Sequence, residues 1–393
     1  MSTNFSYSIK APCDPEMLCE VRNTLDYHVT LPSGYSNSKE YGVVFCIPGY
    51  GDTADSQYQR DKLRSYIADK YNLIAVGVRF HNDARANEDL YFNIDGICSF
   101  YGIEKSYFRN TNDFDILLDD LFNLIKSKNV SSIDPRLSAK LTPLHKYSSF
   151  GFMPAIDHLN VLFDLIKRYK IDKRKIVAFG SSYGGFIASL MAKYALGTFS
   201  LIIDNSGFSV TNIKEVFGGE LGNIGGSWAR DINGRRYEIP FVSDTLWSTD
   251  ETSPYYFSDA HKQIRNLLQE EHRSPSETMY CCFHSIKDTV SPINLKDEQY
   301  RVLEKYNSIY YKRVEESDID GKVFKNLNHG MNASLRSIFD ISMEKYAEMN
   351  IEKDNSTDFD NFVTYGFPCL DKLYNFAFSD KGLDVSIEST VIK

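Results

Sequence analysis

Between Lys175 and Tyr194 the chain reads Lys-Ile-Val-Ala-Phe-Gly-Ser-Ser-Tyr-Gly-Gly-Phe-Ile-Ala-Ser-Leu-Met-Ala-Lys-Tyr. The apolar run Lys175 to Phe179 suits a buried strand, and Phe186, Ile187, Leu190, Met191 and Tyr194 recur at helical spacing. Only a tight strand-to-helix turn fits between them. Gly180, Ser182 and Gly184 stand there in G-x-S-x-G spacing, with Gly185 next. In that pattern the central serine occupies a strained turn and the glycines keep side chains out of its way. The triplet alone says little, because at ordinary glycine and serine usage about one chain of this length in ten carries it by chance. The strand, turn and helix around it supply the weight. Ser182 is the candidate nucleophile and Ser181 is expected to be structural; an ordinary tight turn is the alternative.

The same alternation runs through the chain. Strands are predicted at Tyr41 to Ile47, Leu73 to Val78, Lys175 to Phe179, Ser200 to Asp204, Met279 to His284 and Ser308 to Lys312, with helices at 55–70, 154–170, 183–195 and 292–305. Pro154 and Pro292 are placed to open their helices. Short apolar runs alternating with helices predict an α/β fold, a mostly parallel sheet covered by helices on both faces. Residues 81–150 and 206–277 interrupt the alternation, and segments of that length are expected to form lids or a cap. The glycines between 218 and 226 suggest mobility there. The expected division is a domain over 1–350 carrying these insertions, and an extension over 351–393, acidic and then aromatic, packed against the body or a partner.

At 393 residues with 42% apolar and 25% charged residues, the composition is that of a soluble globular chain. No apolar run approaches the roughly 18 residues of a membrane span. The opening Met-Ser-Thr-Asn-Phe-Ser-Tyr-Ser-Ile-Lys lacks the pattern of a secretory leader, so a cytoplasmic location is expected. Cys13, Cys19, Cys46, Cys98, Cys281, Cys282 and Cys369 are odd in number and form no C-x-x-C pair, which fits reduced thiols. A net charge of -9 argues against a nucleic-acid or anionic-membrane partner. High Lys, Asn, Ile, Tyr and Phe usage suggests an AT-rich bacterial genome. Neither a metal nor an organic cofactor is expected: H-E-x-x-H is missing, and Asp318-Ile-Asp320-Gly321 lacks the twelfth-position Glu of a calcium loop, where His329 stands. Oligomeric state leaves no trace in the sequence.

A serine at neutral pH needs a base, and the base needs an orienting group. After the strand ending in His284 comes Asp288, and 41 residues later Asn-His329-Gly-Met. Asp288 would accept the Nδ1 proton of His329, which would take the proton of Ser182. Asp204, also at a strand end, is the alternative acid. His284 lies in a predicted buried strand and reads as structural. Attack on a carbonyl builds charge on its oxygen, and each preorganised N–H aimed there contributes about 3–4 kcal/mol. The N–H of Tyr183 and that of Tyr50, in the loop Pro48-Gly-Tyr-Gly-Asp52, are the candidate donors.

Together these residues resemble the α/β-hydrolase superfamily, and Gly-Ser-Ser-Tyr-Gly-Gly-Phe is most similar to its prolyl-oligopeptidase-like branch. The resemblance covers 41–80, 154–205 and 278–335. No blade repeat stands upstream as a counterpart of the oligopeptidase propeller, which weighs against carrying over a peptidase activity. Ile47-Pro-Gly-Tyr-Gly-Asp52 also departs from the His-Gly-Gly-Gly of many lipases and esterases. That loop, with Thr53-Ala-Asp-Ser56, the elbow and Asn328-His-Gly-Met-Asn-Ala-Ser334, is similar to a bacterial hydrolase-like family found in campylobacter flagellin-glycosylation gene clusters. This second resemblance implies acyl chemistry on a sugar. The leading expectation is a serine esterase or thioesterase acting on a small acylated molecule, an acylated carbohydrate first. An acyltransferase using the same triad on a sugar hydroxyl is the alternative, and an inactive hydrolase-fold binding module the third. Arg235 and Arg236 could hold a sugar carboxylate by bidentate contacts; a solvated basic turn is the other reading.

Overall fold

Strands buried on both faces carry continuous apolar runs rather than alternating ones. Tyr41–Ile47, Leu73–Val78, Leu201–Asn205 and Met279–Ser285 are buried at every residue. The computed structural model describes residues 2–17, 22–83, 90–109, 113–133, 139–141, 147–217, 226–243 and 245–390. Its main sheet has eight strands: β1 (Thr3–Lys10), β2 (Thr24–Leu31), β3 (Tyr41–Ile47), β4 (Leu73–Val78), β5 (Ile171–Ser181), β6 (Leu201–Asn205), β7 (Met279–Ser285) and β8 (Ser308–Val314). Their order is β1-β2-β4-β3-β5-β6-β7-β8. β2 runs antiparallel to β1 and β4, and every pairing from β4 to β8 is parallel. With helices on both faces and a serine turn at the end of β5, this is the α/β-hydrolase fold.

Side chains alternate between the faces of each strand. One face gathers Val44, Cys46, Val177, Phe179, Leu201, Ile203, Met279 and Cys281 against two helical segments. The first is a π-helical turn, Tyr58–Arg64, running into α1 (Ser65–Tyr71). The other face is covered by α2 (Phe152–Arg168) and α3 (Tyr183–Tyr194). There Phe45 meets His158 of α2 edge-on, 5.6 Å between ring centres. α4 (Ile293–Leu303) connects β7 to β8. α5 (Leu335–Met349) is the second helix of the first face and buries Ile338, Phe339 and Ser342.

Several elements differ from the sequence reading. Pro154 is the third residue of α2, not the first; Gly151, with φ 86°, begins the turn, where a Cβ would strike Phe186 and Leu190. Pro292 is the residue before α4. β5 starts four residues before the apolar run, on Ile171-Asp-Lys-Arg174, and a register shift between Tyr41 and Val43 lets this polar start pair with β3. β1, β2 and α5 carry too many hydroxyl and charged residues to stand out as apolar patterns.

Residues 85–148 and 212–257 form a second compact unit. It contains helices Ile94–Tyr101 and Phe114–Ser127 and a four-stranded sheet that includes the hairpin Gly226–Ile232 and Arg235–Ser243. Asp113 caps the second helix through Ile116 N–H, and Ile97, Leu121, Phe122, Ile125 and Ile239 belong to a core of its own. Gly218 to Gly225 lie outside the described residues. The tail belongs to the first unit as a three-stranded antiparallel sheet, Thr364–Cys369, Lys372–Ser379 and Gly382–Ser389. Tyr374, Phe376 and Phe378 alternate inward, and Phe376 stacks on Tyr194 of α3 at 4.5 Å.

A buried ion pair joins three distant stretches of the first unit. The Arg265 guanidinium donates to both oxygens of Glu16, and each side chain is 0% exposed. Tyr374 donates to Glu16 Oε1 at 3.0 Å, while Arg265 also donates to the carbonyls of Ser149 and His261. Burial pushes the Glu16 pKa up, but the charge and hydrogen bonds of Arg265, with help from Tyr374, outweigh it and hold the carboxyl below its ordinary range. Removing one partner of such a pair strands the other charge and costs about 3–5 kcal/mol. Arg265→Leu is therefore expected to lower the urea midpoint by that amount of stability, and Arg265→Leu with Glu16→Leu by less than the single change. Because the folded pKa of Glu16 is depressed, its contribution is full above the unfolded value near 4.5 and is lost as pH falls through the folded one. Stability measured from pH 6 downward should consequently fall less steeply in Glu16→Gln than in the wild type.

Candidate active site

β5 ends at Ser181 and α3 begins at Tyr183, so the whole turn is Ser182, held at φ 56° and ψ −122°. A non-glycine residue reaches that region only when its surroundings force it, at about 1–3 kcal/mol. Here backbone packing does so. A Cβ on Gly180 would land on the Gly184 backbone, one on Gly184 would land on the Ile47 carbonyl, and one on Gly185 would strike Asp204. Ser182 N–H donates to Asn205 O at 2.7 Å, and Asn205 Nδ2 donates to Ser181 Oγ at 2.9 Å. Ser181 thus fastens the turn to β6.

The turn aims Ser182 Oγ at His329 Nε2, 2.7 Å away, and His329 Nδ1 lies 2.7 Å from Asp288 Oδ2. Asp288 follows β7, and its Oδ1 accepts the N–H groups of Val290 and Ser291, both at 2.9 Å. Burial raises its pKa, but the His329 and Ser291 hydrogen bonds and the nearby His329 and His284 rings outweigh burial and hold it below the ordinary carboxylate range. An ionised Asp288 can only accept, which places the His329 proton on Nδ1 and leaves Nε2 to accept from Ser182. His284 is 3.6 Å from Asp288 but binds the Ser291 carbonyl, and burial pushes its pKa down to about 4, so it stays neutral. The loop that carries His329 has three consecutive residues at positive φ: Gly330, Met331 and Asn332. Met331, fully buried in the core beneath, anchors it.

Asp204 does not meet His329. Its carboxylate accepts Gly207 N–H at 2.7 Å and Lys296 Nζ at 2.8 Å, with both charged side chains 0% exposed. Lys296 also donates to Gln299 Oε1 and the Phe208 carbonyl. This cluster fixes the turn Ser206–Phe208, whose Phe208 ring lies 6.1 Å from that of His329. Tyr50 and Tyr183, the two residues named for their N–H groups, stack their rings in parallel 4.2 Å apart. Gly49 is packed so closely that a Cβ there would stand 3.2 Å from Ser182 Cβ. The far end of that loop is clamped by Arg64, fully buried, which donates to the Ala54 carbonyl, Asp55 and Thr30 of β2. Arg235 and Arg236 lie in the second unit, the first bound to Asn129 and the second to Glu238. Among the described residues no group of three His, Cys, Asp or Glu side chains could hold a metal ion, and no helix is long and apolar enough to cross a membrane.

A family model described as "Protein of unknown function (DUF2920)" matches residues 6–387. The chain belongs to this family. Comparison with curated proteins returned no match. Among solved structures, this DUF2920 chain is similar to an acylaminoacyl peptidase in complex with Z-Gly-Gly-Phe-chloromethyl ketone: 13% identity and TM-score 0.48, over 90% of this chain and 42% of that one. It is also similar to the acylaminoacyl peptidase of Pyrococcus horikoshii, with 14% identity and TM-score 0.45 over 88% and 40%. A third is an esterase of the Planctomycetes species Thermogutta terrifontis, with 10% identity and TM-score 0.46 over 87% and 93%. The chain thus spans about two fifths of the length of the two peptidases.

Lys296, Phe208 and Arg64 escaped the sequence reading, as did the anchoring of the His329 loop by Met331. Lys296 and Arg64 resemble solvent-facing charges on amphipathic helices, and nothing local marks them as buried. Asp204 and Asp288 are expected to separate cleanly on substitution. Asp204→Asn leaves Lys296 uncompensated and should cost about 3–5 kcal/mol in urea unfolding, while the protein that remains folded keeps its Ser182 reactivity. Asp288→Asn should show the reverse, a smaller stability loss and strongly slowed reaction of Ser182 with a fluorophosphonate.

Proposed function

We propose that the chain is a serine hydrolase that cleaves an ester or thioester through a covalent acyl-enzyme. The observation that carries this reading is the unbroken hydrogen-bond line Ser182 Oγ, His329 Nε2, His329 Nδ1, Asp288 Oδ2, with both links at 2.7 Å, starting from a serine held at positive φ. Ser182 Oγ attacks the carbonyl carbon as His329 Nε2 takes its proton. The N–H groups of Tyr183 and Tyr50 stabilise the charge that forms on the carbonyl oxygen. His329 then gives its proton to the leaving oxygen or sulfur, and the acyl group remains on Ser182. Water repeats the sequence and releases the acid. Asp288 stays ionised throughout, keeps the ring in the required tautomer and balances the imidazolium. Acylated carbohydrates, the substrate class implied by the sequence resemblance, come first for screening.

Intact-mass labelling with a fluorophosphonate tests the chemistry. One adduct is expected on wild type and none on Ser182→Ala. In ester turnover Ser182→Ala and His329→Ala should each lower kcat by about 10⁶-fold, and Asp288→Asn by about 10⁴-fold. Wild-type folded protein that takes no adduct while admitting a probe of the same size would sink the proposal.

A further inference from the structure

Beside the serine turn lies a cavity of ≈190 Å³ lined by Gly49, Asp52, Gln59, Ser181, Phe179 and Leu335 among others. Gly49 precedes the candidate oxyanion donor Tyr50 and packs against Ser182, and Ser181 precedes the candidate nucleophile, so two residues of the wall adjoin the candidate reacting groups. A cavity of about 150 Å³ takes benzene; this volume takes a six-membered ring.

The wall is rich in acceptors. Among the described residues that line it, Asp52 is the one charged residue, and no lysine, arginine or histidine contributes. Asp52 Oδ1 accepts Thr53 N–H and Oδ2 accepts Gln59 Nε2, both at 2.9 Å. A carboxylate has about four lone-pair sites, so the two oxygens retain capacity for further donors. Gln59 is 3% exposed and its Oε1 has no hydrogen-bond partner. An acceptor left this way is destabilising unless something donates to it. Gln59 also lies in the π-helical turn Tyr58–Arg64, a rare conformation that is frequent at functional sites. Phe179 and Leu335 supply apolar surface for the carbons of a ring.

The geometry points to a substrate subsite. On the reading of Ser182 as the nucleophile, the part of the substrate that does not react enters this cavity as a ring-sized group presenting hydroxyl or amide N–H donors and carrying no negative charge. Its donors reach Asp52 and Gln59, and a carboxylate is refused because Asp52 meets it with no cation among the described residues of the wall.

Three matched esters test this: a hydroxylated, an unsubstituted and a carboxylated cyclohexane ring, placed first on the acyl side and then on the alcohol side of the ester. On one of the two sides the hydroxylated ring should exceed the unsubstituted one in kcat/KM by about 10-fold or more, with the carboxylated ring slower still. Gln59→Leu should bring the first ratio towards unity, and Asp52→Asn should remove most of the carboxylate penalty. Turnover with equal rates on both sides, or ratios that neither substitution moves, would overturn the subsite. Saturation-transfer NMR of cyclohexanediol separates this outcome from failure of the hydrolase reading, because it needs no turnover. A signal with Ser182→Ala that is lost with Ser182→Ala/Gln59→Leu supports the subsite even if no ester is cleaved. Equal signals from the two proteins, or none from either, count against it.

Discussion

The contact on which the site depends is one of backbone against backbone. Gly180 rests on Gly184, Gly184 on the carbonyls of Ile47 and Pro48, and Gly185 on Asp204 and the Cα of Gly207. Three strand ends, those of β3, β5 and β6, are thereby drawn to one point, with backbone against backbone at Gly180 and Gly184 and the Asp204 carboxylate against Gly185. Interiors packed to crystal density transmit small displacements, so any added atom at these glycines would move the Tyr50 loop, Ser182 and the Phe208 turn together. The positive φ of Ser182 follows from the same closeness, since the chain has no other way to leave β5 and enter α3 in one residue.

Two buried carboxylates, one on β6 and one just past the end of the neighbouring β7, differ in their partners. Asp204 is neutralised by Lys296 and binds a backbone N–H, so it holds a turn in place. Among the described residues Asp288 meets no Lys or Arg within ion-pair distance. Its charge is stabilised by the backbone N–H groups of Val290 and Ser291 and by a hydrogen bond with His329 Nδ1. The first is a buried ion pair and the second a carboxylate held by hydrogen bonds. Environment assigns the roles here, as it does wherever two carboxylates with the same intrinsic chemistry sit close together.

The legible parts of this chain were those whose signal is local. The central strands announce themselves as short runs of Val, Ile and Phe because both faces are buried, and Gly180-Ser-Ser-Tyr-Gly-Gly185 announces a tight turn because nothing larger fits. Asp288 and His329 were singled out by residue type and chain order, and the structure places His329 Nδ1 2.7 Å from Asp288 Oδ2. What was not readable depends on tertiary placement. Lys296 and Arg64 look solvated until the segments they reach, Asp204 and the Ala54 carbonyl, are brought against them. Gln59 gives no sign in the sequence that its helix is a π-helix. β1 and β2 alternate polar and apolar residues near one edge of the sheet, where one face is less buried and the apolar run disappears.

The pair formed by Glu16 and Arg265 also bears on how the fold is reached. Glu16 finds its guanidinium 249 positions later and its tyrosine hydroxyl 358 positions later. During synthesis from the N-terminus, nearly the whole first unit emerges before that carboxylate has both partners, although β3, β4 and the serine turn can already pair. Contacts of such separation are slow to close because the intervening chain must first be ordered. Completing that set of hydrogen bonds requires the tail sheet to dock onto α2 and α3, where Tyr374 packs on Phe152 and Phe376 on Tyr194, so the sheet closes around a charge laid down near the start.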